Sequence, residues 1–258
     1  MQLFDFTFPL VWFYVTLALS LIIFLRYVLV SGLFYVIFYR YRKSKSWIRK
    51  LNPKWPPAGQ ARKEIFWSGI SSIIFALAGT AMVFAWQSGL TQIYLSLTIS
   101  GIPYFILSII TALLFHETYY YWLHRWMHRP KVFRILHKVH HDSLITSPWT
   151  SFSFHPLETI LQAIVVPIIV FILPMHYLAL LIMLTIMTVS AVINHLDIEI
   201  YPKGFEQHWL GKWLIGATHH SLHHTEFRTN YGLYFTFWDK WMDTESEQYH
   251  ERLSNKEP

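Results

Sequence analysis

Between Ile65 and His116 the chain carries no Asp, Glu, Lys or Arg. A membrane helix needs roughly 20 apolar residues, so this run holds two crossings, read as about Ile65–Trp86 and about Leu95–Phe115. Phe8–Tyr39 is apolar apart from Arg26, which is expected to snorkel toward an interface. Leu157–Asn194 holds no charge beyond Glu158, and Pro174 near its middle makes it a helical hairpin that returns to its starting side. In lipid the backbone must satisfy its own hydrogen bonds, so such stretches fold as helices. The expected fold class is all-α: a multi-pass membrane helical bundle.

Composition agrees. Charged residues make up 14% of the chain, against about a quarter in soluble domains. Hydrophobic residues make up 53% and aromatics 18%, the latter suited to interfacial belts. With no cysteine, the chain itself offers no disulfide, iron–sulfur cluster or thiolate zinc site. Nine of the 21 Lys and Arg residues lie between Arg40 and Lys63 with no acid among them. Between two spans this run reads as a cytoplasmic loop under the positive-inside rule, and no nucleic-acid partner is expected. Lys54, Trp55 and Arg62 read as headgroup-level anchors, and Gly69 and Gly79 permit close helix packing. Residues 1–7 lack a basic n-region and a cleavage site, so no removable signal peptide is expected.

Ten of the fifteen histidines fall in two short runs. The first contains His116, His124, His128, His137, His140 and His141, and the second His219, His220, His223 and His224. Positions i, i+3 and i+4 project on one helix face. His124 and His128 form one such set, His137 with His140 and His141 a second, and His220 with His223 and His224 a third. Each set can present its rings to one point. Neutral imidazole is a common metal ligand, whereas a single structural zinc takes four ligands, so these sets imply two ions, or one with many supporting residues. Glu117, seven residues before His124, shares nearly the same face; it either ligates or orients a ring. His195 ends the hairpin at the depth of the clusters and reads as a further ligand. His155, His176, His208 and His250 read as interfacial or surface groups, and residues 142–156 as an interfacial connector. Asn230–Thr244 is aromatic and either packs under the metal site or lies against the membrane. Counting crossings from a cytoplasmic basic loop puts both histidine runs on the cytoplasmic side.

Tyr121–His128 (YWLHRWMH), His137–His141 (HKVHH), Phe154–Glu158 (FHPLE), His219–His224 (HHSLHH) and Asn230–Asp239 (NYGLYFTFWD) resemble the fatty acid hydroxylase and sterol desaturase superfamily. The resemblance covers about Phe115 to Thr244. It implies a non-haem site of two iron ions that acts on lipid C–H bonds with O₂. Carried over, the ligands are His124, His128, His137, His140, His141, His220, His223 and His224, with His195 as a further ligand and His219 as a weaker one. Glu117 and His116 are expected behind the ligands. Two departures stand out: Glu117 where the family usually has Asp, and Asp243 where Gly is common.

The expected organisation is N-terminal spans and basic loop over 1–114, a catalytic region over 115–244 and a polar tail over 245–258. Electrons are expected from a separate electron-transfer protein and reductase, since the chain has no convincing GxGxxG strand–turn–helix. The expected location is the bilayer, a bacterial inner membrane or the endoplasmic reticulum, with a lipid as substrate. A membrane zinc hydrolase and a non-enzymatic metal carrier are the alternatives. A carrier would place ligands at midplane, whereas these clusters sit at span ends.

Overall fold

The computed structural model describes residues 3–41, 49–97 and 101–254. Among the described residues, four helices are long and apolar enough to cross a membrane: Pro9–Tyr41, Gln60–Gln87, Gly101–Met127 and Tyr177–Asn194. The protein is an all-α, multi-pass membrane bundle.

Helix α1 (Pro9–Tyr35) starts with Pro at its first turn, where the missing N–H costs nothing, and continues as a π-helical segment, Val36–Tyr41. Helix α2 (Gln60–Gln87) begins after Gly59, whose φ of 86° suits a residue without Cβ. The two helices lie close enough for Thr16 and Thr80 to hydrogen-bond at 2.9 Å. A Cβ on Gly79 would stand 3.3 Å from Leu19, the close packing expected of that glycine.

Helix α3 (Gly101–Met127) starts and ends later than the apolar run alone indicates. A two-residue strand, β1 (Ile93–Tyr94), precedes it and pairs in parallel with β2 (Met175–His176). Beyond Phe115 the helix continues because one face stays buried, through His116, Glu117, Tyr120, Tyr121 and His124. Two short helices follow, α4 (Pro130–Leu136) and α5 (Lys138–His141).

The hairpin over 157–194 is present, with its first arm broken into α6 (Pro156–Ala163) and α7 (Val165–Ile172) and its second formed by α8 (Tyr177–Asn194). His176 at the turn is buried, not exposed as expected. Its Nδ1 caps α8 by accepting from Leu178 N (3.2 Å), so its Nε2–H donates to Leu95 O (2.9 Å). The connector differs from expectation too. Ser147–Ser153 packs inside against α1 and α2, with Ser147, Thr150, Ser151 and Ser153 buried. Its polarity serves buried Glu64, which accepts from Ser147 Oγ (3.0 Å) and Thr150 Oγ1 (2.6 Å). Tyr27 on α1 donates to Trp149 O at 2.9 Å.

One apolar cluster joins α3, α7, α8 and the 233–234 segment through Leu113, Tyr120, Ile169, Met183 and Leu233. The chain closes through α9 (Ala217–Glu226), α10 (Phe237–Trp241) and α11 (Gln248–Ser254).

Candidate metal centre

Helix α9 is enclosed along its first eight residues, Ala217 to His224. It lies where the end of α3, the α4–α5 corner and the end of α8 meet. Imidazoles from these elements form two groups. The first is His124, His128, His137, His141 and His223; the second is His140, His195, His220 and His224. Within each group the potential ligand atoms lie within 4.8 Å of one another.

Neither three-histidine motif aims at a single point. His137 and His141 serve the first group while His140 serves the second. His220 and His224 serve the second while His223 serves the first. The cause is helical geometry: residues four apart nearly eclipse, whereas adjacent residues diverge by about 100°. Each motif therefore straddles both groups and ties them together.

Ring orientation is set from behind. His124 Nδ1 lies 2.8 Å from Tyr231 O, His137 Nδ1 2.8 Å from Glu158 Oε1, and His140 Nδ1 3.3 Å from Ser153 O. His195 Nδ1 lies 2.7 Å from Ala191 O and His223 Nδ1 2.7 Å from Thr229 O. Carbonyl oxygens only accept, so the proton sits on Nδ1 and Nε2 keeps its lone pair; the Glu158 carboxylate does the same for His137. The Nε2 atoms then face each other: His124 and His137 at 3.0 Å, His141 and His223 at 3.1 Å, His140 and His195 at 3.1 Å, His195 and His220 at 3.0 Å, and His220 and His224 at 3.2 Å. In the His124–His137 and His140–His195 pairs both Nδ1 protons are fixed, so two lone pairs face each other and cannot hydrogen-bond. Ligands about 2.1 Å from a shared ion at right angles stand about 3 Å apart, which is this spacing. The donor set fits two transition-metal ions.

Charge agrees. Burial, and then the neighbouring imidazoles, hold His137, His141, His223 and His224 well below the usual histidine range. The same causes in the same order act on His140 and His220. Neutral rings are the metal-binding form. A stability consequence follows. The unfolded chain takes up protons near pH 6.5, whereas the folded chain does not, so metal-free protein loses stability as pH falls through that value. Each such ring contributes up to about 1.4 kcal/mol per pH unit in that window. The thermal midpoint of metal-stripped protein in detergent should hold from pH 8 to 7 and drop steeply by pH 5.5; a flat profile would show that the rings are not buried neutral.

Three residues expected near the ions stand outside both groups. His219 packs its ring on Tyr249, with Nε2 3.6 Å from Asp239 Oδ2. His116 Nδ1 meets Tyr234 Oη at 3.2 Å. Glu117 accepts from Leu233 N (3.0 Å) and Tyr234 N (2.7 Å), so it anchors the 230–235 loop instead of orienting a ring. His155 caps α6 through Leu157 N, and His208 is exposed. The His250 side chain lies outside the described residues.

Two of the carboxylates to which the sequence assigns no role lie beside the imidazoles or the loop that orients them. Glu158 orients His137 and accepts from Gln162 Nε2 (2.9 Å); its presence in FHPLE was the available signal. Asp239 accepts from Tyr231 N, Gly232 N and Thr244 Oγ1, each at 2.8 Å. Burial pushes its carboxyl up to about 6. Asp239 and Glu117 thus fix the loop whose Thr229 and Tyr231 carbonyls orient His223 and His124. A Cβ on Gly232 would stand 2.7 Å from Phe235 O, so only glycine fits there. The 230–244 stretch packs under the imidazoles, the first of its two expected placements. Asp243 has φ 53°, the left-handed conformation for which glycine is the common residue.

The fold and site define a membrane-helix bundle with two groups of histidines, each able to hold a metal ion. The chain belongs to the fatty acid hydroxylase family, whose model matches residues 109–244. It is 38% identical over 143 residues to human lathosterol oxidase, covering 54% of this chain and 45% of the relative. It is 31% identical over 212 residues to Delta(7)-sterol 5(6)-desaturase erg3C of Aspergillus fumigatus, covering 74% and 64%. The match to the Saccharomyces cerevisiae Delta(7)-sterol 5(6)-desaturase is 35% over 140 residues, covering 54% and 36%. The chain spans about half the length of the curated relatives it matches. No solved structure matches it.

Proposed function

We propose that the chain is a membrane-bound, non-haem di-iron oxidoreductase that hydroxylates or desaturates a sterol-like lipid, using O₂ and electrons from a separate donor protein. The observation that carries this reading is the pair of imidazole groups with facing Nε2 lone pairs at the ends of membrane helices. The relatives' names supply the substrate class. Histidine suits iron, copper, nickel and zinc alike, and the redox chemistry of the family selects iron. Iron bound there supplies the one-electron chemistry that lets O₂ oxidise an unactivated C–H bond. The ligands proposed are the five and the four histidines of the two groups.

The remaining work belongs to the chain. Backbone carbonyls and Glu158 hold the protons on Nδ1 and keep the rings of His124, His137, His140, His195 and His223 aimed. The apolar cluster of Leu113, Tyr120, Ile169 and Met183 runs from the membrane helices to His124, whose ring centroid lies 5.1 Å from that of Tyr120. This packed apolar core closes the membrane side of the site against bulk water. Turnover should need O₂ and reductant, and equal product under strict anaerobiosis would overturn the reading in favour of a hydrolase.

The catalytic side is proposed to be cytoplasmic, by the basic loop. Cysteines placed at exposed Leu144 and Glu251 should react with an impermeant thiol reagent from one face of sealed vesicles, and one at exposed Ser88 from the other. The native absence of cysteine keeps the background clean. Labelling of Ser88→Cys and Leu144→Cys from the same face would refute this arrangement. Of the sites that flank the crossings, Ser46 and the Ser254 side chain lie outside the described residues.

A further inference from the structure

We propose that Lys50 and Asp197 are positioning residues for the four-histidine group, so that the loop between the first two spans completes one half of the metal centre. The inference rests on the metal reading above. From the sequence Lys50 is one of nine basic residues in a topology-setting loop, most of which belong in water. Here it is buried, and its ammonium is fully engaged. It pairs with the Asp197 carboxylate and donates to Asn52 O (2.8 Å) and Lys54 O (2.7 Å). Removing a cation from water is costly unless pairing is complete, so a role in solvent or at headgroups does not explain it.

The pair acts on two of the four rings. Asp197 follows His195 by two residues and has φ 55°, a left-handed conformation that surrounding contacts must hold. Those contacts come from the loop. Lys50 and Asn52 Nδ2 take the two carboxylate oxygens, and Leu51 N donates to Asp197 O at 2.9 Å. Glu199 N donates to Arg49 O at 3.0 Å, which completes an antiparallel bridge between Lys50 and Ile198. On the other side, Asn52 Nδ2 reaches Ser221 Oγ (3.3 Å), next in sequence to His220. His195 and His220 are the pair whose Nε2 atoms stand 3.0 Å apart. Glu199 accepts from Thr218 N (2.9 Å) and Thr218 Oγ1 (2.7 Å), so the same strip also holds the start of α9. Leu51 packs with Tyr39, Leu196, Ile198 and Ala217 beneath it.

The five-histidine group draws its orienting contacts from elsewhere: Tyr231, Thr229 and Glu158. Loss of the Lys50–Asp197 pair should therefore empty one group and spare the other.

The test uses full-length protein in detergent, loaded with Co(II), whose ligand-field spectrum distinguishes four- from five- or six-coordinate sites. Wild type should bind about two ions, whereas Lys50→Met and Asp197→Asn should each bind about one, with the four-histidine spectrum lost. Single replacements leave a buried group unpaired and will also lower the thermal midpoint. The Lys50→Met/Asp197→Asn double variant separates the two effects. It removes both charges, so the midpoint should recover toward wild type while the second ion stays absent. Recovery of both together, or equal loss from both groups in the single variants, would show a general structural role and overturn the proposal. Two ions in every variant would overturn it as well. A wild type that binds no cobalt would instead overturn the metal reading on which it rests.

Discussion

Replacing His140 or His223 with Ala is expected to lower bound metal and abolish lipid oxidation. The two residues sample both groups. His140 Nε2 stands 3.1 Å from His195 Nε2, and His223 Nε2 stands 3.1 Å from His141 Nε2. Both are fully enclosed, so bulk water does not reach either position. Loss of a residue behind a ligand typically costs about 10–100-fold in metal affinity or activity, and loss of a ligand should exceed that. His208→Ala, at an exposed position outside both groups, should change neither quantity. Metal analysis after loading with iron, alongside turnover, reads all three variants. Full metal content in both cluster variants would sink the assignment. Zinc in protein as isolated would not identify the working ion, because zinc competes well for imidazole sites.

Oxidation should leave an isotopic record. Desaturation removes two hydrogens from adjacent carbons and, with two electrons and two protons from the donor, reduces O₂ to two waters. Hydroxylation replaces one C–H bond by C–OH and, with the same two electrons and two protons, yields one water. Under ¹⁸O₂ a hydroxylated product should therefore carry the label and a desaturated product should not. Both outcomes begin with loss of one hydrogen, and the second depends on how the neighbouring C–H bond is held, a matter of positioning. A Delta(7)-sterol, the class in two relatives' names, is the first substrate to offer, with a saturated fatty acyl lipid as comparison. Product mass is the readout. Hydroxylation with the oxygen drawn from water would contradict O₂ as its source.

Much of this was legible in the chain because it depends on local pattern. Apolar runs specify helices wherever lipid removes other partners for the backbone. The spacing of His124, His128, His137, His140, His141, His220, His223 and His224 placed imidazoles on shared helix faces, and the end of the hairpin marked His195. What local pattern cannot contain is the direction of each face in the assembled bundle. Helical geometry splays each three-histidine motif, but which ring joins which group depends on how α5 and α9 pack between the two, a fact of tertiary structure. His219 carries the same sequence signal as its neighbours, yet the helix turns its ring toward Tyr249. Glu117 sits on the face of His124 but meets the 233–234 backbone, which is more than a hundred residues away in the chain. Glu158, Asp239 and Lys50 look like an isolated acid in an apolar run, a tail acid and a loop cation. Each acquires its role from a partner that the fold supplies: His137 and Asp197 across long separations for Glu158 and Lys50, and for Asp239 the Tyr231–Gly232 amides of a loop that turns back on it. Local sequence determined which residues share a helix and which helices enter lipid; the energetic need to satisfy every buried charge and lone pair, met across long sequence separations, decided which of them meet.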